Sequence, residues 1–169
     1  VGYALATKLK KLNSRVICYH GEGAMDQGTF WESLNFSALK KLPILFVCEN
    51  NNLAIYSKQK KRVKTLDICK KVKSFGVHTI KIEDNSTKNI FKYAQKALQR
   101  IGKNSQPIFL EINTYREVDH VGINYDFELG YRKKDKQKLL KSLNELNSLK
   151  EKTKNFLQID KKIKKEIYD

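Results

Sequence analysis

Two short polar segments hold residue types from which an ion and phosphate site is built. One is His20-Gly21-Glu22-Gly23-Ala24; the other is Glu49-Asn50-Asn51-Asn52. Gly21 and Gly23 let the backbone approach a ligand closely. A helix starting after them would aim free N–H groups and the positive end of its dipole at the same place, which suits a phosphate or diphosphate. Glu22 offers a carboxylate oxygen and Asn51 an amide oxygen. Magnesium prefers such hard donors and commonly shares them with phosphate groups. The chemistry this set supports is a diphosphate bridged to the protein by magnesium. A Gly-x-Gly turn alone is common, but here Asn51 follows Glu22 by 29 positions and an apolar run precedes each segment.

Those apolar runs are the elements that must position the site. Residues 14–20 (SRVICYH) and 43–48 (PILFVC) read as strands buried on both faces. Between them, residues 27–42 predict a helix with Phe30, Leu34, Ala38 and Leu42 at four-residue spacing, capped by Asp26 and ended by Pro43. The helix returns the chain, so both strand ends fall on one edge of the sheet, where ligands of such sheets bind. Residues 1–12 predict a helix end with Leu5, Leu9 and Leu12 on one face. Residues 49–57 predict a polar turn. Further on, helices are expected at 66–75 and 87–101, stopped by Gly76 and Gly102, and strands at 77–82 and 107–112. Residues 114–130 predict a long loop, and 133–149 and 159–167 amphipathic, lysine-rich outer helices. Alternating strands and helices predict an α/β fold: a three-layer, mostly parallel sheet with helices on both faces.

Composition bounds the partners. The chain has 169 residues, of which 40% are hydrophobic, enough for a real core. Its net charge of +16 invites nucleic acid. The lysines are spread along the whole chain, however, and no aromatic–basic RNA-binding motif occurs, so no nucleic-acid partner is expected. No apolar run reaches the ~20 residues that span a bilayer, so no membrane partner is expected. Cys18, Cys48 and Cys69 form no CxxC pair and read as small buried hydrophobes in a reducing, cytoplasmic setting. His20 and His78 read as structural, and Phe30 and Trp31 as core or interface.

The Gly-Glu-Gly turn followed by the Asn pair resembles the thiamine-diphosphate signature, a Gly-Asp-Gly turn followed by Asn-Asn. Residues 21–35 (GEGAMDQGTFWESLN) and 42–51 (LPILFVCENN) resemble the alpha subunit of the first component of pyruvate and branched-chain 2-oxo acid dehydrogenases. Gln27-Gly28, Glu32, Asn35 and Pro43 fall in step with it, and Thr114-Tyr115-Arg116 with His120 resembles its active-site loop. The resemblance implies the thiamine-diphosphate-binding fold, with a cofactor-binding domain over 1–131, N-terminally incomplete, and a helical C-terminal extension over 132–169. It implies magnesium held by Glu22, Asn51 and the backbone carbonyl of Leu53. It implies a diphosphate met by Gly21, Gly23 and Ala24, with Arg116 near phosphate and His120 as the catalytic histidine of the loop.

Three departures from the family pattern stand out. Glu22 replaces an Asp and is one methylene longer, while magnesium holds its ligands near ~2.1 Å. The common His-Gly-His-Ser loop reads Val118-Asp119-His120-Val121, without the serine that is phosphorylated in mammalian-type enzymes. The stretch from Asp119 to Asp126 looks more like bacterial members found with sugar-modifying pathways. The chain also starts at Val1 and resembles the C-terminal half of the subunit. The expected activity is oxidative decarboxylation of a 2-oxo acid with acyl transfer to a lipoyl group. The expected partners are a beta subunit in an α2β2 assembly, with helix 27–42 as a contact surface, and a lipoyl-bearing acyltransferase. A transketolase-like transferase or lyase, or a non-catalytic scaffold subunit, are the alternatives.

Overall fold

The computed structural model describes residues 1–84, 86–104, 106–132 and 135–168. Four strands form one parallel sheet in the order β1-β2-β6-β5: β1 (Val16–Gly21), β2 (Ile44–Asn50), β5 (His78–Ile82) and β6 (Ile108–Asn113). On one face lie α1 (Gly2–Leu9), α2 (Gly28–Leu39) and α4 (Ile68–Lys73), packed on Ile44, Phe46, Cys48 and Phe109. On the other, α5 (Thr87–Asn104) covers Leu45, Val47, Ile108 and Leu110. The three-layer α/β reading therefore holds. Period-two alternation explains it: neighbours on β2 and β6 point to opposite faces, and both faces are apolar.

Several expectations are corrected. β1 is an edge strand, so it is not buried on both faces: Ile17 and Tyr19 lie on the α5 side but beyond its reach, 41% and 67% exposed. The first helix stops at Leu9 because Lys11 turns left-handed, and Leu9 and Leu12 are exposed. Asp26 does not cap α2; Gln27 holds that position without a side-chain bond. The aromatic side chains of α2 are half-buried, Phe30, Trp31 and Phe36 lying against the core, while Leu39 on the same helix stands exposed. Gly102 lies inside α5 rather than ending it, and the Arg15 side chain crosses where a Cβ would stand.

The polar turn contains more structure than expected. A two-residue hairpin pair, β3 (Leu53–Ala54) with β4 (Ser57–Lys58), runs into the short α3 (Gln59–Arg62). The C-terminal helices appear as α6 (Asp135–Lys152) and α7 (Phe156–Tyr168). The first two residues of the predicted helix, 133 and 134, lie outside the described residues. Cys48 and Cys69 are buried and Cys18 is half-buried. Among the described residues, no helix is long and apolar enough to cross a membrane.

Candidate active site

β1 pairs with β2 in parallel register from Val16↔Ile44 to Gly21↔Glu49. Both polar segments therefore leave the sheet at one edge, side by side. Residues 22–26 then form a 3-10 turn, and α2 begins only at Gly28. The helix N-terminus is thus set back from the glycines by one turn.

Glu22 is buried, its side chain only 2% exposed. Burial pushes its carboxyl up from the ordinary value, and the Arg62 guanidinium opposes that rise. Arg62 reaches back from α3 and pairs with both Glu22 and Asp26. The two glycines differ. A Cβ on Gly21 would meet nothing within 4 Å, so that space is open to a ligand. A Cβ on Gly23 would stand 2.8 Å from the Cβ of Ala54, so Gly23 is bare because the hairpin packs on it. Ala24 is exposed in the 3-10 turn.

The asparagine turn is built by its own side chains. Asn52 N–H donates to Asn50 Oδ1 at 2.8 Å, and Leu53 N–H donates to Asn51 Oδ1 at 2.9 Å. Each amide oxygen keeps a second lone pair. Asn50 is fixed in turn by a residue that the sequence reading missed. Glu111 is buried in the middle of β6; its Oε1 accepts from Asn50 Nδ2 at 2.8 Å and its Oε2 from the Cys69 thiol at 3.2 Å. The Cys69 thiol is pushed up to about 12, chiefly by burial and then by this bond. A carboxylate inside an apolar strand, as in IFLEIN, is the signal that could have found it, because buried charges are kept only where they are bonded.

A cleft of about 680 Å³ opens beyond β2 and β6, with Asn51, Leu53, Gln59, Thr114, Tyr131 and Arg132 among its lining residues. Glu22 and His120 are not among them. Arg116 is half-buried and bonded within the chain: Nε donates to Val118 O at 2.8 Å, Nη1 to Ile55 O at 3.2 Å, and Nη2 to Asp126 at 3.0 Å and Tyr131 at 2.5 Å. Arg132, itself buried, pairs with Asp126 and donates to the carbonyls of Arg116, Glu117 and Val118. These bonds latch the loop from which His120 projects, exposed. Asp126 illustrates the balance of forces: burial alone would raise its carboxyl, yet the bonds from Tyr131 and Arg132 and the charges of both arginines hold it below the ordinary value.

His20 packs against Phe30, ring centroids 4.9 Å apart. Its Nδ1 lies 3.1 Å from Gly21 O, its Nε2 is buried without a hydrogen-bond partner, and burial lowers its pKa.

The donor set fits a magnesium-bridged diphosphate in type. Among the described residues no group of three His, Cys, Asp or Glu could hold a metal ion. The predicted set needs none, because it combines one carboxylate with an amide oxygen and a backbone carbonyl. The buried Glu22 carboxylate has the Arg62 guanidinium as its counter-charge, and the open space over Gly21 lies next to it.

The family model for the dehydrogenase E1 component matches residues 1–169. The chain is 32% identical to the 2-oxoisovalerate dehydrogenase subunit alpha of Bacillus subtilis over 120 residues, 71% of this chain and 36% of that protein. It is 30% identical to the pyruvate dehydrogenase E1 component subunit alpha of Rickettsia felis over 119 residues, 70% of this chain and 36% of that protein. The matched part thus spans about a third of the length of these curated relatives. Among solved structures, a Mycobacterium smegmatis protein described as a thiamin diphosphate-dependent enzyme aligns with TM-score 0.54 and 28% identity, over 67% of this chain and 20% of that one. Transketolase from Campylobacter jejuni aligns with TM-score 0.63 at 18% identity, over 80% of this chain and 23% of that one, a likeness of fold. With the parallel sheet and the paired strand ends in place, the chain belongs to the dehydrogenase E1 component family, on the side of its alpha subunits.

Proposed function

We propose that this chain anchors thiamine diphosphate and magnesium in the alpha subunit of a 2-oxo acid dehydrogenase first component. The observation that carries the reading is the parallel pairing of β1 with β2, which sets a buried carboxylate, Glu22, beside an amide turn, Asn51, at one sheet edge. In this reading Glu22, the Asn51 side chain and the Leu53 carbonyl hold the metal. Gly21, Gly23 and Ala24 offer backbone to the diphosphate, and Arg116, bonded within its loop, adds positive charge on the phosphate side of the site. When bound, thiamine diphosphate supplies the nucleophilic carbon and the electron sink for decarboxylation. The chain's own part is to fix the charged end of the cofactor, exclude water and bring His120 to the site on its loop.

Membership of the family supports a beta-type partner in a heterotetramer that completes the site. Transfer of the acyl group to a lipoyl-bearing partner and a pyruvate-like or branched-chain substrate belong to the same proposal. The test is co-expression with a beta-type subunit, followed by carbon dioxide release over a panel of 2-oxo acids. Release with at least one of them is expected, and its loss in Glu22→Ala. Bound cofactor with no release from any 2-oxo acid would remove the dehydrogenase reading.

A further inference from the structure

Arg62 is a residue that neither the signature nor the family's motif assigns. It lies 40 positions after Glu22, in a lysine-rich stretch. The hairpin β3–β4 brings it to the Gly-Glu-Gly turn. Gln59 N–H donates to Asn52 O at 3.0 Å, which starts α3 directly on the asparagine turn. Ala54 packs on Gly23, and α3 then folds back over the Gly-Glu-Gly turn. Arg62 Nη1 lies 3.9 Å from the position of a Cβ on Gly23, and its Nε donates to Ser57 O at 3.3 Å. Its two remaining nitrogens go to two different carboxylates. Nη2 pairs with Glu22, whose side chain is 2% exposed, and Nη1 with Asp26, whose side chain is 31% exposed.

The asymmetry between these carboxylates matters. Glu22 has no access to water and needs a cation beside it; Asp26 does not. A divalent ion bound to Glu22 and a guanidinium bound to the same oxygen repel each other and compete for its lone pairs. We propose that Arg62 is the resident cation of the metal seat: it neutralises Glu22 while no metal is bound, and a divalent ion enters by displacing it toward Asp26, which keeps α3 attached. Arg62 is on this view a positioning residue that sets metal affinity, and the inference rests on the metal reading given above.

The experiment titrates Mn2+ into the full chain co-purified with a beta-type subunit, at fixed thiamine diphosphate and pH 8, with free Mn2+ read by electron paramagnetic resonance. Arg62→Gln removes the competitor and is expected to tighten Mn2+ binding by about tenfold. Arg62→Lys keeps a charge but loses the fork that spans both carboxylates, and is expected to tighten it by a smaller factor. If Arg62 only builds α3, both variants bind Mn2+ as weakly as the wild type or more weakly, and that result overturns the proposal. Should Arg62→Gln fail to fold, the sign of the Arg62→Lys effect decides alone. Binding that is equal in all forms but lost in Glu22→Ala overturns the role of Arg62 and leaves the metal reading intact. No Mn2+ binding by any form overturns both.

Discussion

At the scale of single residues, the two glycines of the turn separate a packing requirement from a ligand requirement. Gly23→Ala places its methyl 2.8 Å from the Ala54 Cβ. Overpacking of this kind costs about 1–3 kcal/mol. Thermal melting should therefore report destabilisation, and Ala54→Gly added to it should restore most of the loss. Gly21→Ala meets no protein atom within 4 Å and should leave the melting temperature unchanged while weakening diphosphate binding. Equal destabilisation by both alanines would contradict the division. From the sequence, Gly21 and Gly23 look alike, because Ala54 is brought to one of them by a hairpin too short to leave a hydrophobic pattern. Glu22 and Asn51 were legible because their spacing brackets a strand–helix–strand unit. Glu111 and Arg62 were not: each acts through a partner 40 or more positions away.

At the scale of elements, the strands were legible wherever apolar runs were continuous, and each was placed to within about two residues. The errors cluster where tertiary contacts override local pattern. α5 runs on through Gly102, whose missing Cβ leaves room for the Arg15 side chain, and the edge position of β1 leaves an apolar strand half-covered. The loop over 114–132 looked irregular, yet side-chain bonds among Asp126, Arg116, Tyr131 and Arg132 tie it together. Asp126→Asn leaves Arg132 buried without its counter-charge. Protease cleavage within 114–132 should rise several-fold while the melting of the sheet changes little. The pH dependence has a definite sign. The Asp126 carboxyl is held below its ordinary value of 3.8, so its contribution is complete above that value and is lost as the pH falls through the lowered one. Near-ultraviolet circular dichroism from Tyr125 and Tyr131 should persist in mild acid and collapse below 3.8, ahead of the sheet. A tyrosine signal that survives until the whole chain unfolds would count against the latch.

At the scale of the whole molecule, the charge of +16 and the uncovered flank of the sheet act in opposite directions. Among the described residues β1 pairs with β2 on one side only, and Ile17 and Tyr19 stand exposed beside its free edge. An unpaired, apolar edge is a template for further pairing. At low ionic strength the shared positive charge keeps copies apart, and the screening length of about 10 Å at 0.1 M shrinks to about 3 Å at 1 M. For this chain, studied by itself, light scattering should therefore grow with added sodium chloride, and Tyr19→Lys should suppress the growth. The flank that looks like a minor gap in the sheet thus sets the colloidal behaviour of the isolated chain, and makes low salt the condition for keeping it in solution.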